Sequence, residues 1–124
     1  MNGFLLDTQV ILWGAQDPSR LSQRAADILT REANVFISAA SLWEVETKRQ
    51  IGKLTLDVDL ERHLLDHGFL ELPITGAHAR QLGFLPLHHR DPFDRMLVAQ
   101  AVSENLVLVT ADRQLARYPI STLF

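Results

Sequence analysis

Four carboxylates in four separate stretches of the chain have the residue types and surroundings for chemistry: Asp7, Glu44, Asp94 and Asp112. Asp7 ends the short apolar run Phe4-Leu5-Leu6, and Asp112 follows the longer run Leu106-Val107-Leu108-Val109 by way of Thr110-Ala111. Glu44 lies in Ser41-Leu42-Trp43-Glu44-Val45. Asp94 lies in His88-His89-Arg90-Asp91-Pro92-Phe93-Asp94-Arg95, the most densely charged stretch of the sequence. Carboxylates gathered in one cleft repel one another and resist ionisation unless a divalent cation neutralises them. An all-oxygen donor set selects Mg²⁺ or Mn²⁺ over Zn²⁺.

Each of these residues also has a purely structural use. Asp7 suits the N-cap of a helix after the first strand, and Asp112 suits a turn. Glu44 has a partner four residues on in Lys48, the spacing of a helical ion pair on a solvated face. Asp91, followed by Pro92, suits an N-cap with proline at the first helical position, and Asp91-x-x-Asp94 resembles a capping box. His88 and His89 suit a solvated loop as well as a proton relay. Arg90 and Arg95 suit phosphate contacts, or charge balance for Asp91 and Asp94. Trp13 and Trp43 offer faces for stacking on bases, but the apolar neighbours of Trp43 predict core packing.

The elements that must position these residues alternate along the chain. Strands are predicted at Phe4–Leu6, Val35–Ile37, Phe69–Leu72 and Leu106–Val109, with a last edge strand within Ile120–Leu123. Helices are predicted at Val10–Ala15, from the Ser22 cap to Arg31, from the Ser38 cap through Gln50, at Leu56–His67, from Thr75 to Leu82, and from the Asp91 cap to Glu104. Gly83 to Arg90 reads as a loop, and Arg113 to Arg117 as a turn of helix. Strands buried on both faces and separated by helices imply an α/β fold, a parallel sheet of four to five strands flanked by helices. Asp7 and Asp112 then fall at the carboxyl edge of the sheet, where open α/β sheets bind ligands.

Length and composition set the bounds. The 124 residues make one domain, 1–124. Absence of cysteine leaves no disulfide framework or thiolate site and fits a reducing cytoplasm. No apolar run approaches the roughly 18 residues of a membrane span, and no basic signal region precedes the first strand. The net charge of −3 argues against broad electrostatic adhesion to nucleic acid, although metal-binding carboxylates count as negative until a cation arrives. Only Lys48 and Lys53 are lysines, and arginine supplies the other basic residues.

The motifs Asp7-Thr8, Ser41-Leu42-Trp43-Glu44-Val45, Asp91-Pro92-Phe93-Asp94-Arg95-Met96-Leu97-Val98-Ala99-Gln100-Ala101 and Leu108-Val109-Thr110-Ala111-Asp112 occur in the order and spacing of PIN-domain proteins. The chain resembles the VapC-like ribonuclease toxins over essentially its whole length. This resemblance implies a PIN-like three-layer fold and places the four acidic positions on Asp7, Glu44, Asp94 and Asp112, with Thr110 as the strand-end hydroxyl. Asp91 belongs to the Asp-Pro-Phe-Asp variant of the third motif, and Gln9 stands where many relatives carry Asn or His. It further implies a Mg²⁺- or Mn²⁺-dependent endoribonuclease of the cytoplasm, inhibited by a cognate antitoxin and forming a homodimer. Asp7 and Asp94 are then direct ligands, with Asp112 and Glu44 ligating directly or through water. Arg90, Arg95 and His89 become candidates for holding RNA. An antitoxin groove is expected from Val10–Trp13 and Leu42–Val45, whose apolar spacing equally suits the core.

Rival folds fit less well. A phosphate-accepting receiver domain needs a lysine at a late strand end, and a haloacid-dehalogenase-like phosphatase needs a second Asp where Gln9 stands. The remaining alternative is a non-catalytic PIN-like module that binds RNA or protein.

Overall fold

The computed structural model describes residues 3–124. Five strands, β1 (Phe4–Leu6), β2 (Val35–Ser38), β3 (Leu70–Leu72), β4 (Val107–Val109) and β5 (Thr122–Leu123), form one sheet in the order β3-β2-β1-β4-β5. Every pairing is parallel. Six helices flank it: α1 (Thr8–Gln16), α2 (Gln23–Arg31), α3 (Ala39–Gln50), α4 (Leu60–Asp66), α5 (Gly76–Gln81) and α6 (Pro92–Glu104).

Alternation along the short strands splits the core into two layers. Leu5, Phe36 and Leu108 face a cluster completed by Leu97, Val98 and Ala101 of α6. Leu6, Ile37 and Val109 face Val10 and Ile11 of α1 and Ile28 of α2. This is the three-layer α/β arrangement expected from the sequence. The two edge strands depart from burial on both faces: Leu70 and Glu71 of β3 are exposed, and Thr122 and Leu123 of β5 are half-buried.

Capping chemistry sets most helix starts. Ser22, Ser38 and Thr75 accept hydrogen bonds from the free N–H groups of α2, α3 and α5. Two predicted helices change length. α1 begins at Thr8 rather than Val10, because Asp7 caps it by accepting from the Val10 N–H at 2.8 Å. α4 begins at Leu60 rather than Leu56. Asp59 caps it by accepting from the Arg62 N–H, and the Asp57 N–H is held instead by Gln16 Oε1 at 3.0 Å. Leu54 and Leu56 pack against the core from a non-helical segment. Gly68 ends α4 with φ +69°, a backbone conformation that side chains disfavour.

Trp43 departs furthest from expectation. α3 turns Ser41, Glu44 and Val45 inward, and the 100° step of the helix leaves Trp43 62% exposed. Of the two segments expected to form a groove, Val10, Ile11 and Leu12 are core residues, with Leu12 and Trp13 also reaching the wall of a polar cleft, while Leu42 and Val45 line a separate apolar groove.

Asp91 caps α6 as predicted. Its Oδ1 accepts from the Phe93 and Asp94 N–H groups at 2.9 and 3.2 Å. Asp91→Ala should therefore lower unfolding stability by about 1 kcal/mol, whereas Asp91→Asn, also a good cap, should cost only a few tenths. Chemical denaturation of the two variants checks this.

Candidate active site

The strand order reverses between β1 and β4: β2 and β3 extend from one side of this pair, β5 from the other. A crevice opens at such a switch point, at the carboxyl ends of the strands. Parallel register pairs Leu6 with Val109, so Asp7 and Thr110 are the next residues beyond the pair. The Thr110 hydroxyl donates to Asp7 Oδ2, while Asp7 Oδ1 caps α1. Thr110 Oγ1 also accepts from the Asp112 N–H at 3.0 Å, and Asp112 Oδ1 holds its own turn by accepting from the Gln114 N–H.

Glu44, Asp91 and Asp94 arrive on α3 and at the start of α6. Together with Asp7 and Asp112 they line one cleft of about 380 Å³. The four acidic positions predicted from the sequence thus share a single cleft. Glu44 is 4% exposed and fully engaged: Oε1 accepts from the Thr8 hydroxyl at 2.6 Å, and Oε2 meets Lys48 Nζ at 2.7 Å. Ser41 Oγ lies 3.0 Å from Thr8 Oγ1 and completes this network.

His89 approaches from the loop before α6. Its Nε2 lies 3.5 Å from Asp94 Oδ2 and 3.3 Å from Asp112 Oδ2, while its Nδ1 accepts from the Asp91 N–H at 3.1 Å. The donor atoms of His89, Asp94 and Asp112 all lie within 4.8 Å of one another, a separation that one cation can span. The half-buried carboxylate oxygens of Asp94 and Asp112, on the wall of the cleft, fit a divalent cation.

The other candidates lie apart from this group. Arg95 donates to the carbonyls of Pro86 and Leu82 and to the Tyr118 hydroxyl, so its guanidinium fastens the loop before α6. His88 packs edge-on against Tyr118. Arg90 and Gln9 are exposed, Gln9 on the cleft wall.

Lys48 and Thr8 are participants that sequence reasoning did not place in the cleft. The i, i+4 spacing of Lys48 from Glu44 was visible, but it suggested a solvated pair, and burial of Glu44 makes it a cleft wall instead. Thr8 stood out only as the second residue of the Asp7-Thr8 motif, with no role attached to its hydroxyl.

Burial dominates the electrostatics. Asp7 is pushed up to about 6, first by burial, with further repulsion from Asp112 and Glu44; hydrogen bonds from Thr110 and the Val10 N–H oppose this. Asp94 is pushed up to about 7 by burial and by the charges of Asp91 and Glu44, opposed by His89. The Lys48 ammonium is raised by its bond to Glu44.

Residues 4–120 match the profile of the PIN domain. The chain belongs to the PIN-domain family. It is 29% identical to ribonuclease VapC22 of Mycobacterium tuberculosis over 119 residues, covering 93% of this chain and 91% of that protein. Among solved structures, VapBC2 from Rickettsia felis bound to a DNA fragment of its promoter superposes with a TM-score of 0.74 at 16% identity, covering 99% of this PIN chain and 98% of that one. DNA-bound VapBC from Salmonella typhimurium gives a TM-score of 0.69 at 20% identity, with 99% and 98% covered. These two structures share the fold expected from the sequence.

Two outcomes follow from the cleft of this PIN domain. Lys48→Met should destabilise it by about 1–2 kcal/mol, because a buried carboxylate loses a charge-assisted hydrogen bond. Adding Glu44→Gln should recover most of that loss, as urea denaturation of the single and double variants would report. The second outcome is a pH dependence. Unfolded aspartates titrate near 3.9, so between that value and about 7 the folded protein holds more protons than the unfolded chain. Metal-free stability must then fall as pH rises through this window. Melting in EDTA at about pH 5.5 and about pH 8 should show a loss on the alkaline side, and Asp94→Asn should flatten it.

Proposed function

We propose that the chain is a Mg²⁺- or Mn²⁺-dependent endoribonuclease that hydrolyses RNA phosphodiester bonds and acts in the cytoplasm as the toxin of a toxin–antitoxin pair. One observation carries this reading. Asp7 and Asp94 are held in a shared cleft where their own charges are disfavoured, an arrangement that costs the bare fold and favours a cation. A purely scaffolding PIN-like module has no use for such a cost. VapC22, to which the chain is similar, is a ribonuclease, and the VapBC structures support a protein partner.

In this reading Asp7, Asp94 and Asp112 hold the cation, and Glu44, already occupied by Thr8 and Lys48, acts from the wall or through water. A cation held there would supply charge to polarise the scissile phosphate and acidity to ionise an attacking water. Thr110 and the start of α1 fix the Asp7 carboxylate, so its orientation is set before substrate arrives. His89 Nε2, between Asp94 and Asp112, is placed to hold or pass a proton. The Lys48 ammonium sets a positive charge on the wall facing the phosphate.

A second groove, of about 580 Å³, is the proposed antitoxin site. Leu42 and Val45 of α3, Leu64 and Leu65 of α4 and Phe69 give it an apolar floor, and Glu46, Asp59, Glu61 and Glu71 give it a mainly acidic rim. An apolar segment with basic flanks fits it. In the proposed homodimer, Phe84 and Leu87, 81% and 83% exposed, are the apolar side chains a second copy would cover.

The test is cleavage of total cellular RNA by purified protein, with Mn²⁺ or EDTA, followed by mapping of the new ends. Cleavage should need the cation and fall by at least about a hundredfold in Asp94→Asn without loss of fold. Leu65→Asp should keep the cleavage and growth arrest of the wild type but escape rescue by the co-expressed antitoxin. Cation-independent cleavage, or an active Asp94→Asn, would exclude the proposed centre.

A further inference from the structure

Trp43 and Phe93 occupy equivalent places on two different helices. Trp43 immediately precedes Glu44 on α3, and Phe93 immediately precedes Asp94 on α6. Their rings meet edge to face, with centroids 4.9 Å apart at 82°. Phe93 is half-buried and its N–H is held by Asp91 of the cleft wall, so the pair joins α3 to the start of α6 beside the carboxylate cleft without lining it. Edge-on packing fixes the indole in one orientation while leaving Trp43 62% exposed. A ring of this size does not remain so exposed through lack of apolar surface to bury against. The apolar groove between α3 and α4 is lined by Leu42 and Val45, on other faces of the same helix, and does not include Trp43.

We propose that Trp43, braced by Phe93, is a stacking platform for the nucleobase that flanks the scissile phosphate of single-stranded RNA. The proposal rests on the ribonuclease reading and gives that site its second substrate contact. Several features of this surface select a nucleic acid rather than a protein helix. A protein helix needs a groove, whereas the platform is a single braced ring beside an acidic cleft. The exposed Arg90, one residue before Asp91, adds a cation on the same helix start for an adjoining phosphate. The two residues that carry the ring contact each directly precede a cleft carboxylate in the chain, so the platform would hold a base beside the cleft rather than inside it. Stacking on an indole tolerates any base, and therefore contributes to binding without dictating a sequence.

The experiment compares wild type, Trp43→Phe and Trp43→Ala on a short single-stranded RNA oligonucleotide containing a mapped cut site, in Mn²⁺. Trp43→Ala should raise KM on the order of tenfold while leaving kcat within about twofold, with Trp43→Phe close to wild type. Replacing the base beside the cut by an abasic nucleotide should raise the wild-type KM similarly and add nothing to Trp43→Ala. A merely structural role would leave those two effects additive. Binding is read separately from cleavage: the oligonucleotide in EDTA should quench the fluorescence of wild type, and Trp43→Phe should lose that quench. If wild type binds RNA with this quench but cuts none, the ribonuclease reading fails and the platform stands. An unchanged KM in Trp43→Ala, additive effects, or a quench that persists in Trp43→Phe overturns the platform. Loss of the antitoxin complex in Trp43→Ala with KM unchanged would overturn it too, marking the ring as a protein contact.

Discussion

The structure depends on one buried carboxylate. Asp7 sits where β1 ends, 6% exposed, beside the strand pair at which the sheet reverses its winding. A buried carboxylate without partners would cost the fold several kcal/mol, so its surroundings are constrained. One oxygen is tied to the first turn of α1 and the other to the Thr110 hydroxyl at the end of β4. The Asp7 N–H donates to the Val109 carbonyl, and the Thr110 N–H to the Leu123 carbonyl of β5. The same few atoms therefore close the sheet, start the first helix and present the central acid of the cleft.

Every other charge in the cleft is arranged around that cost. Glu44 is balanced by Lys48 and by the hydroxyl of Thr8, which α1 carries directly after Asp7. Asp94 sits at the start of α6, where free N–H groups and the helix dipole offset negative charge, yet burial and Asp91 still push it up to about 7. His89 bridges towards Asp94 and Asp112 from a loop fastened by Arg95 and Tyr118. The compensation is incomplete. Two carboxyl groups retain protons well above the ordinary aspartate range, a cost that a neighbouring positive charge would relieve.

The helix with the longest unbroken buried run among the described residues leads into this cleft. Residues 97–101 of α6 are all buried, and Gln100 among them accepts from Ser38 at the end of β2 and donates to the Pro73 carbonyl after β3. A helix fixed at its middle by core packing and by these polar ties holds its first turn, with Asp91, Phe93 and Asp94, against α3. The acidic cleft, the Trp43–Phe93 pair and the apolar groove therefore occupy different faces of α3 without disturbing one another.

The sequence by itself determined the order of elements, the parallel α/β class, most helix caps and the four acidic positions. The elements follow from short-range rules, apolar runs and capping residues, and Asp7 and Asp112 from their places at strand ends, whereas Glu44 and Asp94 joined the set through the resemblance to PIN-domain proteins. The sequence offered structural and functional uses for the acids as alternatives, and the tertiary structure shows that several hold together. Asp7 caps α1 with one oxygen and meets Thr110 with the other; Asp112 holds its turn with one oxygen and faces His89 with the other. Tertiary packing alone decided burial. It moved Trp43 from an expected core position to the surface, drew the Glu44–Lys48 pair from a solvated face into the cleft, and shortened α4 by giving the Asp57 N–H to Gln16. Burial depends on what lies across from a residue rather than on its neighbours in sequence, and here the facing partners are 36 to 41 positions away.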